Sequence, residues 1–185
     1  MSHIQSRSAA DMEEEAKAWS RDDLLRVWDH IKARQPLDGW LRGKAFEYFV
    51  IRAFDVEGLR VKWPYVVTYR QKLGIVEQND GFIYLGDRPF LVESKDLSDP
   101  LEVESVAKLR FRLESRPPGT MSVLFNSTRF SLATEVFAQF AVPLNVVLWR
   151  GQDFDYALPT ASMAAGLQAK LDAATERGTP LFPLE

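Results

Sequence analysis

Glu93 and Lys95 lie two residues apart in the run Pro89-Phe90-Leu91-Val92-Glu93-Ser94-Lys95. In a strand, alternate residues share a face, so the carboxylate and the ammonium would project together from the end of an apolar segment. Such charges either stand in water because the strand stops at Glu93, or they serve a site. Asp80, 13 residues upstream of Glu93 in Gln78-Asn79-Asp80-Gly81, adds a carboxylate at the start of the preceding strand. Adjacent antiparallel strands joined through Gly86 would set Asp80 beside Glu93. Two carboxylates held close repel each other unless a cation lies between them, and hard oxygen donors suit Mg²⁺ or Mn²⁺. Asp-Gly is also a common turn dipeptide, and a plain turn is the competing reading.

Glu47 is the third carboxylate. On a helical wheel Trp40, Gly43, Val50, Ile51 and Phe54 flank it within about 60°. A carboxylate inside an apolar stripe needs a partner, because charges are rarely buried unless paired or bound to metal. Gly43, one turn earlier, would leave room beside it. A salt bridge to a basic neighbour is the alternative.

Basic residues cluster twice. Arg60, Lys62, Arg70 and Lys72 place four positive charges and no negative one between residues 59 and 73. Lys108 and Arg112 share a helix face one turn apart, with Arg110 and Arg116 nearby. Such clusters neutralise phosphates. A solvated helix face, with Glu104 and Lys108 as an i,i+4 pair, accounts for the second cluster equally well. Gln78 either contacts the site or caps a turn.

The elements that must position these side chains follow from periodicity and punctuation. Residues 1–19 are polar and acidic and read as a mobile lead-in. Ser20, with Asp23 three residues on, starts a helix bearing Leu24, Val27, Trp28 and Ile31 at helical spacing. A second helix is predicted from about Asp38 to Phe54. Short runs rich in Val, Ile, Tyr and Phe at 59–67, 73–76, 81–85 and 89–93 read as strands, and Pro64 places the first at an edge or bulge. Asp99-Pro100 predicts a helix start that must end by Pro117-Pro118-Gly119. A strand at 120–126, a helix at 131–141 capped by Ser131, a strand at 145–149 and a last helix ended by Gly178 complete the domain. Residues 20–178 thus form one α/β domain with a mixed sheet and helices on both faces, and 179–185 an extended tail.

Composition excludes several classes. With 185 residues, 46% hydrophobic and 26% charged, the chain has the balance of a globular domain. No apolar run approaches the roughly 20 residues of a membrane span. Asp11 and Glu13 to Glu15 stand where a signal peptide would be apolar. The chain has no cysteine, which removes disulfides, thiolate zinc sites and thiol catalysis. Two histidines, His3 and His30, make neither a His-rich metal site nor a Ser-His-Asp triad. A cytoplasmic location is expected. The net charge of −3 confines any nucleic-acid contact to a local basic face.

Taken together, Glu47, Asp80 and Glu93-Ser94-Lys95 resemble the PD-(D/E)XK nuclease superfamily, whose restriction endonuclease-like core has the order αβββαβ. Within it, the chain looks most like the methyl-specific, Mrr-like restriction endonucleases, over about residues 38–157. Gly43, Phe46 and Glu47 match that group's GxxFE helix, and Asp80-Gly81 its Asp-Gly pair. Met121 to Phe130 resembles its strand leading to an aromatic-started helix. The proline of the superfamily name is replaced by Asn79. The resemblance implies a DNA phosphodiester hydrolase in restriction, defence or DNA processing. It implies Mg²⁺ or Mn²⁺ held by Asp80, Glu93 and the Ser94 carbonyl with help from Glu47, and Lys95 as the charge-stabilising group. Target choice would then come from a homodimer or a separate recognition protein. A non-catalytic binding domain that keeps the fold, and a Holliday-junction resolvase-like nuclease, are the alternatives.

Overall fold

The computed structural model describes residues 8–41, 43–63, 65–68 and 75–185, with the backbone alone at 65–68 and 75–79. The chain opens with three helices, α1 (Ala9–Ala18), α2 (Arg21–Lys32) and α3 (Lys44–Asp55). Strands β1 (Arg60–Lys62), β2 (Tyr65–Thr68), β3 (Ile75–Asn79), β4 (Gly81–Leu85) and β5 (Arg88–Lys95) follow. The remainder runs α4 (Glu104–Glu114), β6 (Met121–Asn126), α5 (Leu132–Phe140), β7 (Val146–Trp149), α6 (Gly151–Ala157) and α7 (Met163–Arg177).

Five strands form the central sheet in the order β1-β4-β5-β6-β7. The β1–β4 and β4–β5 pairs are antiparallel, and β5–β6 and β6–β7 are parallel. β2 and β3 pair antiparallel as a separate two-stranded sheet. The path α3-β1-β4-β5-α4-β6 is the expected αβββαβ order, with β2 and β3 set between the first and second core strands. The sheet is mixed, as the sequence predicts.

Both faces are covered, and the period-2 alternation of the strands decides which residues go where. Ile83, Phe90, Val92, Val123, Phe125, Val147 and Trp149 face α1, α2, α3, α6 and α7. Phe82, Leu91, Leu124, Val146 and Leu148 face α4 and α5. On the first face Trp28 of α2 stacks on Phe49 of α3 with ring centroids 5.6 Å apart, and Phe154 of α6 lies 5.1 Å from Trp28. Aromatic burial on this scale fixes α3, and with it Glu47, against the sheet.

Several boundaries differ from the sequence reading. Residues 9–18, within the expected lead-in, form a helix with a Ser8–Asp11 capping box, and Met12 and Ala16 are buried. The capping box satisfies the first-turn N–H groups, and two small apolar contacts suffice to dock the helix. α3 starts at Lys44 rather than near Asp38, because Gly39 and Gly43 both take left-handed backbone, at φ 75° and 85°. α4 starts at Glu104 rather than Asp99. Buried Leu101 instead donates its N–H to Arg129 and accepts from Ser131, a pairing that holds residues 99–103 out of the helix. β5 continues past Glu93 to Lys95. The helix α6 is additional to the predicted elements, its start tied by the Arg150 N–H to Asp153 Oδ2 at 2.9 Å.

The tail is pinned. Fully buried Lys170 pairs with Asp153 at 2.9 Å and donates to the Phe182 carbonyl at 2.5 Å, while Leu184 N–H bonds the other Asp153 oxygen at 3.1 Å. Among the described residues no helix is long and apolar enough to cross a membrane.

Gly81 holds the tightest approach near the acidic residues. A Cβ there would lie 2.7 Å from the Lys62 carbonyl, 3.0 Å from Ile51 Cδ1 and 3.2 Å from Trp63 Cβ. Only glycine lets β1 and α3 close on the start of β4. Gly81→Ala should therefore lower stability by about 1–3 kcal/mol, the scale of an overpacked core. Urea denaturation checks this, and an unchanged midpoint would show the contact to be slack.

Candidate active site

Asp80 immediately precedes β4, and Glu93, Ser94 and Lys95 end β5. The β4–β5 register pairs Gly81 with Val92, so the next rung brings Asp80 to Glu93. Asp80 Oδ2 accepts from the Ser94 N–H at 2.6 Å and from the Ser94 hydroxyl at 2.5 Å. Asp80-Gly81 is thus no free turn. It is a strand entry whose carboxylate is stapled across to the neighbouring strand.

Each other carboxylate carries a basic partner. Glu93 Oε1 accepts from Lys95 Nζ and Oε2 from Arg112 Nη1, both at 2.6 Å. The ladder geometry explains the first pair, since both residues project from one face of β5. Glu47, on the first turn of α3, is bonded by Lys44 Nζ one turn earlier. Lys44 is thus the basic neighbour of Glu47. Gly43 serves a different purpose from the one expected. A Cβ there would meet nothing within 4 Å, and glycine is needed for its positive φ at the helix entry.

The charges couple. Burial, then the Glu47 and Glu93 carboxylates, push the Asp80 carboxyl up to about 7, against the two bonds from Ser94 that favour its ionised form. Burial draws the Lys44 ammonium down, but its bond to Glu47 and the charges of Glu47 and Asp80 outweigh this and raise it. Three acidic groups and three basic ones therefore share one neighbourhood. Among the described residues no three His, Cys, Asp or Glu side chains already converge as a ligand set for a metal ion. Among the described residues, Lys44, Lys95 and Arg112 are the cations bonded to Glu47 and Glu93.

The expected substrate-contacting residues divide. Arg112 reaches Glu93 and belongs to the acidic centre. Arg60 lies over the Tyr84 ring at 3.6 Å. Lys62 lines an open groove of about 570 Å³ with Phe82, Tyr84, Arg88, Arg116 and Thr120. That groove surrounds the β4–β5 turn, with Phe82 the lining residue nearest in sequence to Asp80. Lys108 is exposed on α4. Arg70 and Lys72 lie outside the described residues, and Gln78 is described by its backbone alone, opposite Val66 in the β2–β3 pair.

Two residues come into the site unannounced. Lys44 is one; its signal was the i,i+3 spacing to Glu47. Arg34 is the other, and no local signal in the sequence links it to β5. Its guanidinium bonds Asp96, the residue after Lys95, and the Leu97 carbonyl, while Ser127 Oγ donates to the same Asp96 oxygen at 2.7 Å.

A solved structure of a DNA modification-dependent restriction endonuclease, AspBHI, is similar to this chain at a TM-score of 0.44 and 16% sequence identity. The likeness covers 95% of this chain and 44% of that one, so the chain spans less than half the length of that protein. No family model and no curated protein matches the sequence.

The crowding at Asp80 has a measurable cost. The carboxyl titrates near 3.8 when unfolded and about 7 when folded, so the folded state holds a proton that the unfolded state has lost. Stability from this group is full below about pH 4 and is lost as the pH rises to about 7. Asp80→Asn keeps an acceptor for Ser94 and removes the charge. In EDTA at pH 8 it should be more stable than the native chain by on the order of 3 kcal/mol, with the difference vanishing near pH 4. Denaturant melts at the two pH values check this; equal stability at pH 8 would mean that Asp80 is not crowded.

Proposed function

We propose that this chain is a metal-dependent nuclease that hydrolyses phosphodiester bonds of DNA. The observation behind this reading is Asp80, stapled to Ser94 and crowded by Glu47 and Glu93, with Lys95 bonded to Glu93 at the end of the same strand. The donors of such a centre are hard oxygens, the class that suits Mg²⁺ or Mn²⁺.

Mg²⁺ or Mn²⁺ fits that donor set, held by Asp80 and Glu93 with the Ser94 carbonyl and Glu47 in support. When bound, the ion supplies Lewis-acid activation of the phosphate and of water. The remaining work falls to the protein. Lys95, with its side chain 38% exposed, can leave Glu93 to orient the attacking water and to stabilise negative charge growing on the phosphate. Arg112 keeps Glu93 oriented through its second oxygen. Ser94 fixes Asp80 so that one oxygen stays available. Lys44 holds the Glu47 carboxylate at the entry of α3.

Lys62, Arg88 and Arg116, with the Tyr84 ring and Asp87, line the groove around the β4–β5 turn, at the other end of these strands from Asp80. Spaced positive charges on the sheet that carries the acidic centre suit a DNA backbone, several of whose phosphates they would neutralise. A cytoplasmic role in restriction, defence or DNA processing follows by analogy with nucleases of this fold.

Supercoiled plasmid should be cut with Mg²⁺ or Mn²⁺ and left intact in EDTA. Asp80→Ala, Glu93→Ala and Lys95→Ala should each slow cleavage by about 100-fold or more. DNA binding should survive Lys95→Ala better than cleavage does, since Lys95 acts on the transition state. Native cleavage by purified Glu93→Ala would sink the reading, and tight binding without cleavage by the native chain would favour a non-catalytic domain. Added Mg²⁺ should raise the Tm, and Glu47→Gln should shrink that rise. Replacing Lys62 and Arg88 by alanine should weaken DNA binding for all sequences and reduce the slope of log affinity against log salt by roughly two.

A further inference from the structure

The end of α2 and the loop that leads into α3 border a cavity of about 220 Å³. Val27, Ile31 and Trp40 give it apolar walls, and His30, Arg34 and Asp96 give it a polar side. Gly43 and Ala45 also line it, on either side of Lys44, and Asp96 directly follows Lys95. The cavity therefore shares two chain segments with the acidic centre. The chemistry proposed for that centre uses none of the cavity's lining side chains.

We propose that this cavity binds a single nucleobase. Charge is the first argument. Arg34 and Asp96 are its charged lining residues and are bonded to each other, with the Ser127 hydroxyl donating to the same Asp96 oxygen at 2.7 Å. A phosphate, carboxylate or ammonium group would find its counter-charge taken, so a neutral ligand fits. Hydrogen bonding is the second. His30 Nδ1 is buried without a hydrogen-bond partner among the described residues. Buried polar atoms are ordinarily bonded. No bond at Nδ1 locks the ring, whose χ2 is broad, so it can turn to offer a nitrogen to a ligand. A wholly apolar ligand, such as a side chain of a protein partner, would leave that nitrogen unmet.

Size is the third argument. Drug-sized ligands occupy roughly 300–1,000 Å³, and this smaller cavity suits one ring or two fused rings with the sugar left outside. A base is neutral, has two apolar faces for the walls, and carries donors and acceptors along its edge. The base comes either from a DNA strand at the acidic centre, unstacked from its neighbours, or from a free nucleoside. The first source rests on the proposed function; the ligand class does not.

Proton NMR of the purified chain in EDTA tests the site directly, because the chain has two histidines, His3 and His30. Deoxyadenosine, deoxyguanosine, deoxycytidine and thymidine are titrated in turn. At least one should shift the His30 ring signals saturably, with a dissociation constant of about 1 mM or tighter, while those of His3 stay put. Leu37→Trp, which fills the cavity from the loop, should weaken that binding by about 10-fold or more. N-acetylphenylalaninamide, whose ring has no donor or acceptor, should bind about 10-fold more weakly than the best nucleoside. No His30 shift with any nucleoside overturns the proposal. So does binding that survives Leu37→Trp, or equal binding of the phenylalanine derivative. Should Leu37→Trp fail to fold, His30→Leu should abolish saturation transfer to the nucleoside, and its survival overturns the site. A duplex carrying 2-aminopurine, whose fluorescence rises on unstacking, separates the sources. A rise with the native chain that the variant abolishes assigns the base to the strand. A steady signal beside nucleoside binding assigns it to free nucleosides. Neither readout needs cleavage, so failure of the nuclease reading leaves this result standing.

Discussion

The bond from Ser94 to Asp80 is the tie on which the acidic centre depends. It joins the start of β4 to the end of β5 across one rung, at 2.6 Å from the amide and 2.5 Å from the hydroxyl. It does so against burial and against two neighbouring carboxylates, which together push the Asp80 carboxyl up to about 7. The rest of the fold supplies what this arrangement lacks by itself. The aromatic layer of Trp28, Phe49 and Phe154 presses α3 onto the sheet and so brings Glu47 up to Asp80. Gly81 gives β1 and α3 the clearance to do so. Arg112, from the opposite face, holds Glu93. An ordinary α/β core is spent on keeping like charges together, and positive side chains make the concentration tolerable.

Much of this was legible in the sequence because it follows from local rules. The Ser20 and Ser131 caps, the αL stop at Gly178 and the alternation in β4 and β5 depend only on residues a few positions apart. The convergence of Asp80, Glu93 and Lys95 follows from one antiparallel turn and a period of two. Failures arise where tertiary contact overrides local pattern. Asp99-Pro100 has the chemistry of a helix start, but buried Leu101 is claimed by the segment at 129–131. The segment at 9–18 looks too polar to pack, yet a capping box and two buried side chains dock it. Gly43 reads as a space-maker and Gly81 as half of a turn dipeptide. One answers a backbone angle and the other a clash, a distinction that needs coordinates. Arg34 gives no local sign of its part, since its partners lie more than sixty residues away.

Arg34 also bears on how this sequence can vary. It occupies left-handed backbone at φ 56°, a conformation that asparagine or glycine adopts more readily. Its guanidinium meanwhile spans Asp96, the Leu97 carbonyl and, at 3.4 Å, the Ser127 hydroxyl, a reach neither of those residues has. Backbone and side chain therefore pull in opposite directions at one position. Lysine keeps the charge but loses the planar fork, and glycine relieves the angle but releases Asp96 next to Lys95. Neutral drift is narrow there, and a family of such chains would hold arginine at this turn while the surrounding loop changed freely.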